Sequence, residues 1–463
     1  MAKKITAMIM LLCLCLALTG CGSKDTTASD SSGKPALSIV APKSVQFTAG
    51  EIAADVTELS IVLADGETQL LSKLSQLKSA DFSGSSCVEE IYAWAQANPH
   101  VDVNYTVTMP DGTVLDKNAE SADLSAIDSS ALPAVLSQLK CLPGLKTLEL
   151  GVERQGFQWA EFDLVRESFP EARLKYMFNI YGMDVDIENT QINLSHFSID
   201  DDCQSLCAAM DRMQDLVYLD MDSCGVPNER MAQIRDAYPH VKVVWRIWFG
   251  EWDVYSVRTD VERILASSPS VAGEIYPGNC EALQYCTEVK YLDLGHNTNM
   301  TDISFISSMK KLEVAVLSMA DWSDATPLAS CENLEYLEIQ TTQCTDLSPL
   351  ANLKNLKHLN VAYILDLEDI SPLYGLTQLE RLWIGCMNHV PYEQVQQMQA
   401  AAPNCEINTS VYEDPTGGRW RYTELNLDTY VYLYHPRYIQ LRETFGNYEK
   451  SAYSYSWNDP LFY

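Results

Sequence analysis

The chain has 463 residues, of which 47% are hydrophobic and 21% charged, and its net charge is −31. A surface this acidic repels nucleic acid and anionic lipid head groups. It leaves cationic, neutral or sugar-like partners, or a divalent ion, though solubility alone also accounts for the charge.

Lys3 and Lys4 open the chain, 5–17 is an uncharged apolar run, and Leu18-Thr19-Gly20-Cys21 closes it. The run is shorter than the roughly 20 residues a spanning helix needs. A basic start, a short apolar core and small residues before the cut describe an export signal. The tetrad ending at Cys21 resembles the lipobox of bacterial lipoproteins. That resemblance implies removal of 1–20 and acylation of Cys21, whose acyl chains would bury methylenes at about 0.8 kcal/mol each. The stretch that follows, GSKDTTASDSSGKP, has no large apolar residue with which to fold. We expect 21–36 to be a flexible tether reaching about 20 Å.

Between 37 and 280 a long period is visible. LKSADF, LKTLEL, LVYLDM and VKYLDL begin at Leu77, Leu145, Leu216 and Val289, 68, 71 and 73 residues apart. NPHVDVNY, FPEARLKY and YPHVKVVW match one another and follow amphipathic stretches such as VEEIYAWAQANP and MAQIRDAYP. About 70 residues is three units of about 23. Pro110-Asp111-Gly112, Tyr181-Gly182 and Phe249-Gly250 sit inside alternating stretches and predict hairpins.

From 281 to 410 the period is plain. Val289, Leu312, Leu334, Leu356 and Leu379 lead units of 22 or 23 residues patterned L-x-x-L-x-L. Alternation makes x-L-x-L-x a short strand with one buried face. One unit cannot shelter its leucines alone, so the units must stack into a parallel sheet. Asp302, Asp324, Asp346 and Asp369 recur where the chain leaves the sheet, placed to accept free backbone N–H groups. TDISFISSMKKLEVAVL, TDLSPLANLKNLKHLNV and EDISPLYGLTQLERLWI resemble internalin-type leucine-rich repeats over about a quarter of the chain. Asn297 stands at the usual asparagine position and Cys224 at its earlier equivalent, but most units lack the asparagine. The resemblance implies an α/β leucine-rich-repeat solenoid: a parallel sheet on one face, helices and turns on the other. Residues 37–280 would form its irregular part with inserted hairpins, and 281–410 its regular part.

Residues 411–463 break the pattern and are rich in Tyr, Trp and Phe. A solenoid end exposes apolar edge, so we expect a C-terminal cap here, with an aromatic binding face as the alternative.

Of 14 cysteines, Cys13 and Cys15 lie in the signal and Cys21 at its end. The rest show no zinc spacing and read as small buried apolar residues. No P-loop, G-x-G-x-x-G, H-E-x-x-H or G-x-S-x-G occurs. No catalytic residue, cofactor or metal is therefore expected. Asp200-Asp201-Asp202 reads as a helix start rather than a calcium site.

In each rung the residues between the leucines face away from the spine. They are Tyr291 and Asp293, Val314 and Val316, Tyr336 and Glu338, His358 and Asn360, and Arg381 and Trp383, preceded in the same column by Asp81, Glu149 and Asp220. With strands about 4.8 Å apart they form a ladder of aromatics beside carboxylates and amides, suited to a protein or glycan. The plainer alternative is a solvated sheet face. A second candidate is the hairpin VVWRIWFGEWDVY, carrying Trp245, Trp248, Trp252 and Tyr255, which could equally pack on the solenoid. The expectation is a lipid-anchored cell-surface protein that binds an extracellular protein or glycan, held to the membrane through Cys21. The alternatives are an envelope scaffold for membrane proteins or, further off, a solute-binding component or hydrolase.

Overall fold

A computed structural model describes residues 43–154, 156–267, 274–385, 389–409, 420, 422–426, 431–444 and 454–455. The signal, Cys21 and the tether lie outside the described residues. The chain divides into two compact units, Met1–Thr106 and Val107–Tyr463.

In the first unit, β1 (Ser44–Phe47) and β2 (Gly50–Ala53) pair antiparallel. Next come β3 (Glu58–Ser60), β4 (Ser79–Asp81) and β5 (Asp102–Asn104), a three-stranded parallel sheet. Its register sets Leu59, Ala80 and Val103 side by side, all buried. The helix α1 (Val88–Ala97) precedes the third strand and buries Val88 and Ile91.

The hairpin β6 (Thr106–Thr108) and β7 (Val114–Asp116) opens the second unit. A second set of three parallel strands follows: β8 (Ser121–Asp123), α2 (Leu132–Leu139), β9 (Thr147–Val152), α3 (Trp159–Ser168) and β10 (Arg173–Ile180). The last strand runs on into a hairpin with β11 (Met183–Asp186). Tyr181 and Gly182 turn it at φ 52° and 89°, the doubly left-handed pair that matches strand twist and favours glycine. A third set contains β12 (Gln191–Asn193), α4 (Gln204–Met210), β13 (Tyr218–Asp220), α5 (Asn228–Ala237) and β14 (Lys242–Val244). The hairpin β15 (Arg246–Phe249) and β16 (Tyr255–Arg258) follows it. The long sequence period is thus a module of three parallel rungs, with a helix before the third rung and a hairpin after it.

The regular rungs form one seven-stranded parallel sheet. Its strands are β17 (Arg263–Leu265), β18 (Tyr291–Asp293), β19 (Val314–Val316), β20 (Tyr336–Glu338), β21 (His358–Asn360), β22 (Arg381–Trp383) and, after α6 (Tyr392–Ala401), β23 (Glu406–Asn408). Ile264, Leu292, Ala315, Leu337, Leu359, Leu382 and Ile407 stand in one register column. The first six are at most 1% exposed. The spine predicted from the L-x-x-L-x-L pattern is therefore continuous.

Each regular rung returns through a one-turn 3-10 helix: Ser304–Ser308, Thr326–Ser330, Ser348–Asn352 and Ser371–Gly375. The recurring aspartates start these turns. Asp302, Asp324, Asp346 and Asp369 each accept the N–H of the residue two places on at 2.8 Å, a donor the short helix leaves unsatisfied. Asn297, fully buried, donates to the carbonyls of Ala266 and Leu294 and accepts from the N–H of Ile275. Rungs without that asparagine find substitutes. Thr342 donates to Ile339 and the Trp322 indole to Leu317. Asp201 accepts the Ser205 N–H at the start of α4, the structural use expected of that acidic triplet.

Beyond the solenoid, β24 (Tyr422–Asn426), β25 (Val431–Tyr434), α7 (Pro436–Thr444) and β26 (Ser454–Tyr455) complete the described chain, the three strands pairing antiparallel.

Candidate functional site

The strands β18 to β22 direct their first and third residues away from the leucine spine, as alternation requires. From β19 to β22 they do not meet solvent. Tyr336, Glu338, His358, Asn360, Arg381 and Trp383 are all at most 5% exposed, and Val314 and Val316 are buried beside them. Tyr291 and Asp293 are half-buried. The expectation of a solvent-facing ladder is therefore corrected: the face is covered by the chain's own C-terminal segment.

Trp420 is the centre of that cover. Its indole Nε1 donates to Glu338 Oε1 at 2.8 Å. The Tyr336 hydroxyl donates to the same oxygen, and Gln340 Nε2 donates to the other at 3.2 Å. These three donors are what allow a carboxylate to lie fully buried. Arg381 Nη1 donates to the Trp420 carbonyl at 2.9 Å, and its guanidinium lies 4.8 Å from the Trp420 ring centre and 4.6 Å from that of Trp383. Arg381 also meets Glu406 at 3.3 Å. The Trp420 ring packs against Trp383 at 5.2 Å, Tyr336 at 5.6 Å and, edge-on, His358 at 6.4 Å.

The helix α7 extends the cover. Tyr438 and Leu441 join Val314, Val316, Tyr336, Ala362, Trp383 and Trp420 in one apolar cluster, with Tyr291, Tyr363 and Ile439 against it. The Arg437 guanidinium stands 5.6 Å over the Tyr336 ring. At the far end Arg263 donates to the Thr444 carbonyl at 2.7 Å. The segment therefore crosses the sheet from β22 back to β17.

Burial sets the electrostatics. Desolvation, with Arg437 and Arg381 nearby, lowers the His358 pKa to about 3. Desolvation and Arg381 lower that of His435 to about 4. Burial thus favours the neutral form of both imidazoles. Three buried polar atoms on the sheet side have no hydrogen-bond partner among the described residues: Gln340 Oε1, His358 Nδ1 and Trp383 Nε1.

Two predicted ligand residues have backbone duties. Asp293 accepts the N–H of Gly295 at 3.1 Å and Asn360 that of Ala362 at 3.1 Å. Asp81, Asp123, Asn193 and Asp220 do the same two residues on. That column ends each rung with a side-chain turn, a role the spacing did not suggest. The Tyr291 hydroxyl donates to Glu313 at 3.2 Å.

The aromatic hairpin divides. Trp245 is buried, donating from its indole to Asn228 at 2.9 Å. Trp248 and Trp252 are 53% and 81% exposed, with Val254 open beside them. Among the described residues no three His, Cys, Asp or Glu side chains cluster in a way that could hold a metal. The ten described cysteines are free, and all but Cys207 are buried. Burial raises the thiols of Cys280, Cys286, Cys344 and Cys405 to about 12. No described helix is long and apolar enough to cross a membrane.

Trp420, Gln340 and Arg437 were missed in the sequence. The aromatic density of the C-terminal segment is legible, but nothing in its spacing says which surface it covers.

The rung register, the leucine spine and the 3-10 returns define a leucine-rich-repeat solenoid. No family model matches the chain, and no curated protein matches it. Among solved structures it is similar to an internalin of Listeria monocytogenes, at 16% identity over 79% of this chain and 86% of that one, with a TM-score of 0.30. It is similar to an internalin C2 of the same organism, at 15% identity over 61% and 92%, TM-score 0.27. A leucine-rich-repeat protein of Leptospira interrogans aligns at 14% identity over 76% and 93%, TM-score 0.30.

Proposed function

We propose that the chain is a lipid-anchored, extracytoplasmic binding protein whose partners are polypeptides rather than glycans. The observation that supports this is the occupied sheet face. Tyr336, Glu338, Arg381 and Trp383 are disposed to hold a polypeptide: an indole N–H on Glu338, a backbone carbonyl on Arg381 and an aromatic ring stacked between. Aromatic and arginine anchors of this kind dominate protein interfaces. The lipobox-like tetrad ending at Cys21 and the tether after it supply the location.

The test is to present the full mature chain both to a random-peptide display library and to a glycan array. Enrichment of peptides, lost on changing Arg381 to alanine, is expected. Saturable glycan binding without any peptide enrichment would refute the reading.

A second docking surface has its own support. Trp248, Trp252 and Val254 form an exposed apolar tip on one hairpin, where a binding hot spot would sit.

A further inference from the structure

Among the described residues, Trp420 and the helix α7 cover the face through the Trp420 indole on Glu338, its carbonyl on Arg381, Arg437 over Tyr336, and Tyr438 and Leu441 in the apolar cluster. The match is incomplete. Gln340 offers an unused acceptor beside Glu338, and Trp383 an unused donor and His358 an unused ring nitrogen against the Trp420 ring, all three buried. Buried groups left unpaired cost stability, so these three atoms weaken the closed arrangement. On the segment's own side, Arg437 Nε is also buried without a partner among the described residues. A face selected only to be sealed would carry apolar side chains at these positions.

The geometry points to an exchangeable occupant: Trp420–Thr444 sits in a binding site for a partner polypeptide segment that presents a tryptophan and a nearby cation. This rests on the reading that the face binds polypeptide, and adds what the partner is and what it must displace. The partner's indole takes the place of Trp420 on Glu338, with its own carbonyl on Arg381. It gains over the resident segment by supplying an acceptor to the Trp383 indole N–H and a donor to Gln340 Oε1. A cationic residue suits the position now held by Arg437, above the Tyr336 ring, as cation–π contact requires. It also suits the acidity of the whole chain. Tethering gives the resident segment a high effective concentration. Exchange therefore demands either those extra bonds or a weakened resident.

The experiment uses a fluorescent synthetic peptide of residues 418–446 as the probe. It is titrated by anisotropy against the full mature chain and against the same chain carrying Trp420→Ala. Removing the resident indole frees the site, so the variant should bind the peptide about tenfold tighter or more. The peptide with its own tryptophan changed to alanine should bind neither chain. Equal affinity for wild type and variant would overturn the exchange model while leaving polypeptide binding intact, because the peptide would then be seated elsewhere. Absence of binding to either chain would count against both. Should Trp420→Ala fail to melt cooperatively, Arg437→Ala in the full chain gives the same comparison with a smaller expected gain.

Discussion

Glu338 shows how burial reverses a reading based on residue type. Carboxylates are almost never fully buried unless paired, so a glutamate between Leu337 and Ile339 reads as solvent-facing. Here hydrogen bonds from Tyr336, Gln340 and Trp420 compensate it, the last from a residue 82 positions away. His358 lies in the same enclosure, faced by Arg381, Arg437, His435 and Lys357, with Glu380 at 3.7 Å. With His435 it should make burial of this face pH-dependent. Burial lowers both pKa values from the ordinary 6.5, to about 3 and about 4. Protonation therefore favours the open or unfolded state. The contribution is complete above pH 6.5 and is lost as the pH falls from there toward 4 and below. Hydrogen-exchange protection factors in β20 and β21, corrected for the intrinsic pH dependence of exchange, should fall over that window, and His358→Phe should remove part of the dependence. Protection factors that stay constant between pH 7 and 4 would contradict this. Asn297 is a second residue whose cost is local: Asn297→Ala leaves three backbone groups unpaired and should lower stability by roughly 1–3 kcal/mol, read by urea denaturation.

At the scale of the element, the rung is the unit of stability. Each strand contributes one spine residue, and its neighbours above and below complete that residue's environment. Leu337→Ala in β20 should cost about 2–5 kcal/mol. Because the stack is quasi-one-dimensional, its denaturation curve should also broaden as the rungs on either side uncouple. The tip between β15 and β16 is the contrasting case. Trp252 is 81% exposed, so Trp252→Ala should leave the urea midpoint within about 0.5 kcal/mol of wild type. A larger loss would show that the tip packs on the solenoid instead of being free to dock.

For the whole molecule, the proposed lipid anchor at Cys21 is tested directly in cells. Metabolic labelling with a fatty-acid analogue should mark the wild-type chain in the membrane fraction. Cys21→Ala should lose the label and move to the soluble fraction, and retention in the membrane would require another anchor.

The sequence by itself determined the rungs. A period of 22 or 23 with leucines at fixed offsets admits one economical burial, and the structure sets Leu292, Leu337 and Leu359 in one column. The hairpins turning at Gly112, Gly182 and Gly250 were legible for the same reason, because turn residues and alternation act over a few positions, whereas the pairing of β1 with β2 was not foreseen. The aspartate starts were equally local, each reaching a donor two residues away. What only the tertiary structure decided is the fate of the other sheet face. Whether Tyr336, Arg381 and Trp383 meet water depends on a segment 39 residues beyond Arg381 in sequence, joined to it through the Trp420 carbonyl. No period carries that information, because the contact is made once and by side chains from distant elements. Local pattern specifies what a strand must bury, whereas shape complementarity between remote surfaces decides what covers it.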